Sequence, residues 1–161
     1  MKVISAFAGL GKTIVGKKYN NVIDLQSSIY HYDYTNIDAK DYEKMKYNNY
    51  RKINSSWPDN YIKAIKEAIK KYDIVLVPSN KEIRELLEKN NIEFIFVFPS
   101  IDSKDELIKR YIKRGNTQNL IDNVMVDFNT WSRNQKDYTY PIVILDKNKY
   151  LEDLLIEMNL L

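Results

Sequence analysis

Five short runs rich in β-branched and aromatic residues alternate with stretches of helical periodicity, and that alternation leaves few folds open. The runs fall at residues 2–7, 22–25, 73–77, 94–98 and 142–145. Each is too short for a buried helix and reads as a strand. Between the first two, residues 12–19 read as a helix opened by Gly9 and Gly11. Pro58 starts a second helix, with Tyr61, Ile65, Ala68, Ile69 and Tyr72 on one face and Lys63, Lys66, Glu67 and Lys70 mostly outside. Ser79 with Glu82, and Ser103 with Glu106, carry the spacing of capping boxes for two more helices, the second ending at Gly115. Leu120, Ile121, Val124, Phe128 and Trp131 mark a further helix, and Asn148 is expected to cap a closing one that runs through Met158. Strands separated by helices throughout need crossover connections. The expected architecture is therefore a single α/β domain over 1–161, with a doubly wound five-stranded parallel sheet and helices on both faces.

Residues 6–13, AFAGLGKT, match G-x-x-x-x-G-K-[ST] except that Ala6 stands at the first glycine position. A strand precedes the segment and a helix follows it, the context in which that pattern binds phosphate. Gly9 and Gly11 permit positive φ, so that backbone N–H groups from Ala8 through Thr13, Leu10 included, can approach one anion. The start of the helix adds a favourable dipole. Lys12 supplies a point charge, and Thr13 a hydroxyl for Mg²⁺. These residues point to ATP as ligand, with Mg²⁺ as cofactor.

Mg²⁺ in such sites also leans on a carboxylate at the end of a neighbouring strand. The third strand ends in Pro78, Ser79 and Asn80, which leaves Asp24, at the end of the second, as the candidate. It faces the donor either through metal-bound water or as base for the acceptor; a capping role is the plainer alternative. Arg110 and Arg114 are four apart on one helix and are expected to share a face, clamping donor and acceptor phosphates, unless Asp105 or Glu106 pairs with them. Arg84, one turn into the helix after the third strand, and Ser27 are candidates for the acceptor. Arg51 and Arg133 are weaker ones. Tyr30, Tyr32 and Tyr34 alternate within a Tyr-rich stretch and are expected to pack as core or lid rather than to present one face to a base.

Composition narrows the remaining choices. Without cysteine there are no disulfides or thiolate zinc sites, and a single histidine, His31, excludes a His-rich metal cluster. No apolar run approaches the roughly 20 residues of a membrane helix, so a cytoplasmic protein without a membrane partner is expected. A net charge of +3, spread along the chain, argues against nucleic acid as a partner. The chain has 20 Lys against 5 Arg, a bias that AT-rich codons explain, so a retained Arg is more informative than a Lys.

Residues 98–100 with Leu107, Arg110, Arg114 and Gly115 resemble the lid segment of guanylate kinases. The chain as a whole resembles small P-loop kinase-like proteins of phages and prophages, within the nucleoside monophosphate kinase group. The pieces that carry this are residues 5–13, 23–28, 57–62, 74–77, 81–84, 111–115 and 127–131. The resemblance implies a kinase-type sheet order, ATP and Mg²⁺, an acceptor-side insert over about 27–56 and a lid-like segment over about 100–118. It implies a nucleotide-like acceptor, a (deoxy)nucleoside monophosphate first; a nucleoside or polynucleotide 5′ end, or nucleotide binding without transfer, are the alternatives. Asn123 stands where guanylate kinases carry a further lid arginine, so the resemblance does not extend to GMP.

Overall fold

Strand β1 (Val3–Ala6) lies at the centre of a five-stranded, all-parallel sheet. The structure, a computed structural model, describes residues 3–35 and 51–161. Residues 36–50 of the expected insert, with Tyr42, Tyr47 and Tyr50, lie outside the described residues. The other strands are β2 (Val22–Asp24), β3 (Ile74–Pro78), β4 (Phe94–Pro99) and β5 (Ile142–Leu145), in the order β2-β3-β1-β4-β5. Strand bounds fall within one or two residues of the apolar runs, because burial on both faces makes such strands continuously hydrophobic.

The helices among the described residues are α1 (Lys12–Lys18), α2 (Ser27–His31), α3 (Asp59–Lys71), α4 (Lys81–Lys89), α5 (Lys104–Lys113), α6 (Gln118–Arg133) and α7 (Leu151–Glu157). From β1 the chain steps outward to β2, then back to β3, then across β1 to β4 and β5. With right-handed crossovers, that reversal sends α1 to one face and the helices after β2, β3 and β4 to the other. All of β1 and the first four residues of β3 are buried, as a sheet covered on both faces requires. No helix among the described residues is long and apolar enough to cross a membrane.

An aromatic cluster anchors α6 to β4. Phe98 stacks on Trp131 with centroids 3.5 Å apart, and Phe7, Phe96 and Phe128 pack edge-on or tilted around them. Burying each phenylalanine contributes about 2 kcal/mol. Phe7 directly follows β1, so this cluster also fixes where the glycine loop leaves the sheet.

Three helix starts differ from the sequence expectation. α4 is capped at Asn80, without a side-chain bond, because Glu82 accepts a hydrogen bond from Trp57 Nε1 (3.0 Å) rather than reaching back to Ser79. At α5, Ser103 meets Ser100 (2.7 Å) and Glu106 meets Arg110 (3.4 Å), so no capping box closes there either. Asn148 sits in a turn at φ 67°, and the cap of α7 is Tyr150, whose N–H donates to Asp153 Oδ2 (2.7 Å). The end of α5 does follow expectation. Gly115, at φ 74°, bonds back to Ile112, and Asn116 bonds to Tyr111, the pattern of a Schellman motif.

Candidate phosphate and acceptor site

The loop between β1 and α1 makes its turn at two glycines in the left-handed region, Gly9 at φ 83° and Gly11 at φ 100°. Among the described residues, the backbone N–H groups of residues 8–13 have no protein acceptor. The helical bonds begin only with Ile14 and Val15, both donating to Gly11 O. Lys12 folds back under the loop, its Nζ donating to the carbonyl oxygens of Ala6 (2.6 Å) and Phe7 (3.2 Å). Burial pushes its pKa down to about 8. Asp24 opposes that shift and Arg114 adds to it. The ammonium is thus held at the strand end, in a position to share its protons with an anion.

Thr13 Oγ1 donates to Asp24 Oδ2 at 2.7 Å. The other carboxylate oxygen, Oδ1, is buried and has no hydrogen-bond partner. An anionic oxygen so placed is costly unless a cation or donor meets it. Gly16 makes the approach possible: a Cβ there would stand 3.0 Å from both Cβ and N of Asp24. Sequence reading passed over Gly16, although a glycine inside a helix costs about 1 kcal/mol relative to Ala and so signals a packing need.

Beyond Gly9 opens a cavity of about 560 Å³, lined by Ala8, Gly9, Ser27, Ser28, His31, Tyr32, Arg51, Asn80, Glu82, Tyr111, Arg114, Asn116, Leu120 and Val124. Its cations are Arg51 and Arg114. Its one carboxylate, Glu82, is engaged by Trp57. Arg51 lies over the Tyr32 ring at 3.8 Å, and its Nε and one terminal nitrogen are buried without partners. His31 is sandwiched between Tyr32 (4.6 Å) and Trp57 (4.4 Å). The segments around Tyr32 and Ile53 run antiparallel, with Asp33 N–H donating to Lys52 O (2.8 Å) and Asn54 N–H to His31 O (2.8 Å). This pairing brings Arg51 to the wall.

The alternating tyrosines do not share a face. Tyr30 packs on Tyr61 at 5.3 Å, Tyr32 lies between His31 and Arg51, and Tyr34 donates to Ser28 O (3.0 Å).

The two lid arginines separate. Arg114 is the C-terminal cap of α5, is exposed and lines the cavity. Arg110 is engaged elsewhere, its guanidinium 4.1 Å from the Tyr150 ring and its Nε 3.4 Å from Glu106. The two arginines are still joined one helical turn apart, Arg114 N–H donating to Arg110 O (3.1 Å), but Tyr150 and Glu106 hold the Arg110 guanidinium, so only Arg114 of the expected pair lines the cavity. Tyr150 also reaches Gly11, where a Cβ would lie 3.6 Å from its ring.

Arg84 is placed elsewhere. It is 6% exposed, donates to Ser79 O, and lies over the rings of Phe96 (4.7 Å) and Tyr138 (5.4 Å). It lines a separate cavity of about 280 Å³ with Lys81, Tyr138 and Tyr140. The cavity beyond Gly9 is lined by Asn80 and Glu82 from the start of the same helix, and not by Arg84.

The chain's residues fit Mg²⁺ in one respect that bears on its chemistry. Among the described residues no group of three or more His, Asp or Glu could hold a metal. Thr13 and Asp24 offer one hydroxyl and one carboxylate, the sparse protein share typical of an ion that keeps waters and phosphate oxygens as ligands. No family model matches this chain, and no curated protein matches it by sequence.

Proposed function

We propose that this chain is a P-loop, ATP-dependent phosphotransferase acting on a nucleotide-like small molecule, with a (deoxy)nucleoside monophosphate as the first acceptor to test. The observation that carries this reading is the Thr13–Asp24 bond, with the buried, unpartnered Oδ1 of Asp24 behind it and the Lys12 ammonium at the adjacent strand end. The order β2-β3-β1-β4-β5 supports it, being the kinase-type order that the resemblance implies.

On this reading the N–H groups of Gly9, Gly11, Lys12 and Thr13, together with Lys12 Nζ, hold the donor's β- and γ-phosphates. Thr13 and Asp24 hold Mg²⁺, which neutralises phosphate charge when bound. Ser27, Arg51 and Arg114 fix the acceptor in the cavity beyond Gly9. An acceptor oxygen then bonds to the γ-phosphorus as the bond to the bridging oxygen breaks, and ADP leaves. The chain contributes positioning and charge rather than covalent chemistry. The cavity has the size of a small-molecule site, which favours a free nucleotide over a polynucleotide end.

The test is ADP release from ATP and Mg²⁺ across a panel of nucleosides and their monophosphates, with Lys12→Ala as control. Activity that survives Lys12→Ala sinks the site assignment. One observation favours nucleotide binding without transfer: the end of β3 offers Pro78, Ser79 and Asn80, and no carboxylate. Tight ATP binding with no ADP release from any acceptor decides for that second reading.

A further inference from the structure

Two hydrogen bonds grip the glycine loop from outside. The Tyr111 hydroxyl, on the lid-like helix α5, donates to Ala8 O at 2.7 Å. The N–H of Leu151, at the start of α7, donates to Leu10 O at 2.8 Å. In a trans peptide the C=O and the following N–H point in opposite directions. Holding the Ala8 carbonyl toward α5 therefore turns the Gly9 N–H away from α5, and holding the Leu10 carbonyl toward α7 turns the Gly11 N–H away from α7. Both are amides that a donor phosphate needs.

Tyr111 is the more informative of the two grips. Its ring lies against Gly9 so closely that a Cβ there would stand 2.9 Å from Cε1. The residue is 3% exposed, and burial raises its phenol pKa well above the usual value, so the hydroxyl stays a donor throughout the working pH range. Its bond spans 103 residues of sequence and is the one hydrogen bond from α5 to the loop among the described residues. A φ of 83° at Gly9 leaves the adjoining peptide free to rotate unless something holds its carbonyl.

We propose that Tyr111 is a positioning residue: its hydroxyl fixes the Ala8–Gly9 peptide so that the Gly9 N–H faces the donor phosphates, which makes donor affinity depend on the seating of the lid-like helix. The inference rests on the phosphate-site reading above and adds a determinant that contacts neither donor nor acceptor through its own hydroxyl. The ring stays in place in Tyr111→Phe, so only the grip on the peptide is lost.

The experiment compares wild type and Tyr111→Phe in binding Mg·ATP and inorganic tripolyphosphate, with melting temperature measured alongside. Tripolyphosphate reports on the loop alone, without a base. The expected result is about fivefold weaker binding of both probes by the variant, as for the loss of one ordinary hydrogen bond. The midpoint of melting should stay within a few degrees. Equal affinities in wild type and variant overturn the inference and leave the site reading standing. Failure of the wild type to bind either probe overturns the site reading, and the inference with it. Wild-type protein gives an independent check in case the variant does not fold. Its Gly9 and Gly11 amide proton resonances should move downfield with tripolyphosphate, and a Gly9 amide that does not respond overturns the assignment.

Discussion

Lys12 and Thr13, at the start of α1, and Asp24, at the end of β2, are tied by short bonds, two of them to backbone carbonyls, whereas among the described residues the cavity beyond Gly9 is walled by side chains from five segments besides the glycine loop. The first region is made of main chain and a few short groups, so its geometry follows from how β1 meets α1. The second depends on where distant pieces of chain come to rest, Arg51 and Arg114 above all. On the proposed reading the first region binds the triphosphate and the second chooses the partner molecule. If that reading holds, substitutions should separate chemistry from selectivity.

The sharpest way to break this contrast is Asp24→Asn. It keeps shape while removing the charge at Oδ1, and phosphoryl transfer should fall by about 100-fold, the scale on which preorganised electrostatic groups act. Raising Mg²⁺ should recover part of the loss in steady-state rates; an unchanged rate contradicts the role given to Asp24. pH examines the same region. The charge on Lys12 is present below its folded pKa of about 8 and is lost above it. Donor affinity should therefore be flat at lower pH and fall by about tenfold per unit once pH passes that value. Titrations of ATP binding between pH 7 and 9.5 show whether the slope is there.

On the other side of Gly9, Arg51→Gln and Arg114→Gln should each raise the acceptor KM by roughly tenfold, the worth of a charge-assisted bond, with donor affinity unchanged. Equal losses for both substrates would mean that the two regions are not separable. The smallest effect belongs to Arg84→Met. Its guanidinium packs among Phe96, Tyr138 and the Ser79 carbonyl, so the variant should melt earlier while both KM values stay within about twofold.

Sequence legibility divides along the same line. β5 coincides with its apolar run, and β1 to β4 begin or end within two residues of theirs, because alternation of buried strand and amphipathic helix is a local property. The glycine loop was equally readable, since Gly9, Gly11, Lys12 and Thr13 act through adjoining backbone. What could not be read were partners far apart in sequence. Glu82 was spaced for a capping box, yet Trp57, 25 residues away, takes it. Arg110 and Arg114 have the spacing of one face, yet Tyr150 and Glu106 engage Arg110 while Arg114 alone lines the cavity. Tyr111 is buried in the core, and its hydroxyl, which reaches Ala8 O across 103 residues of sequence, makes a bond that no periodicity encodes.

Gly16 never approaches a ligand, yet it sets a width. With hydrogen in place of a methyl group, α1 lies close enough to β2 for a hydroxyl and a carboxylate from different elements to meet at 2.7 Å. A single added carbon would act as a wedge there, prising the two oxygens apart without touching either. The smallest side chain in the helix is thus a spacer gauge, and the gap between Thr13 and Asp24 is machined into the fold by what position 16 leaves out.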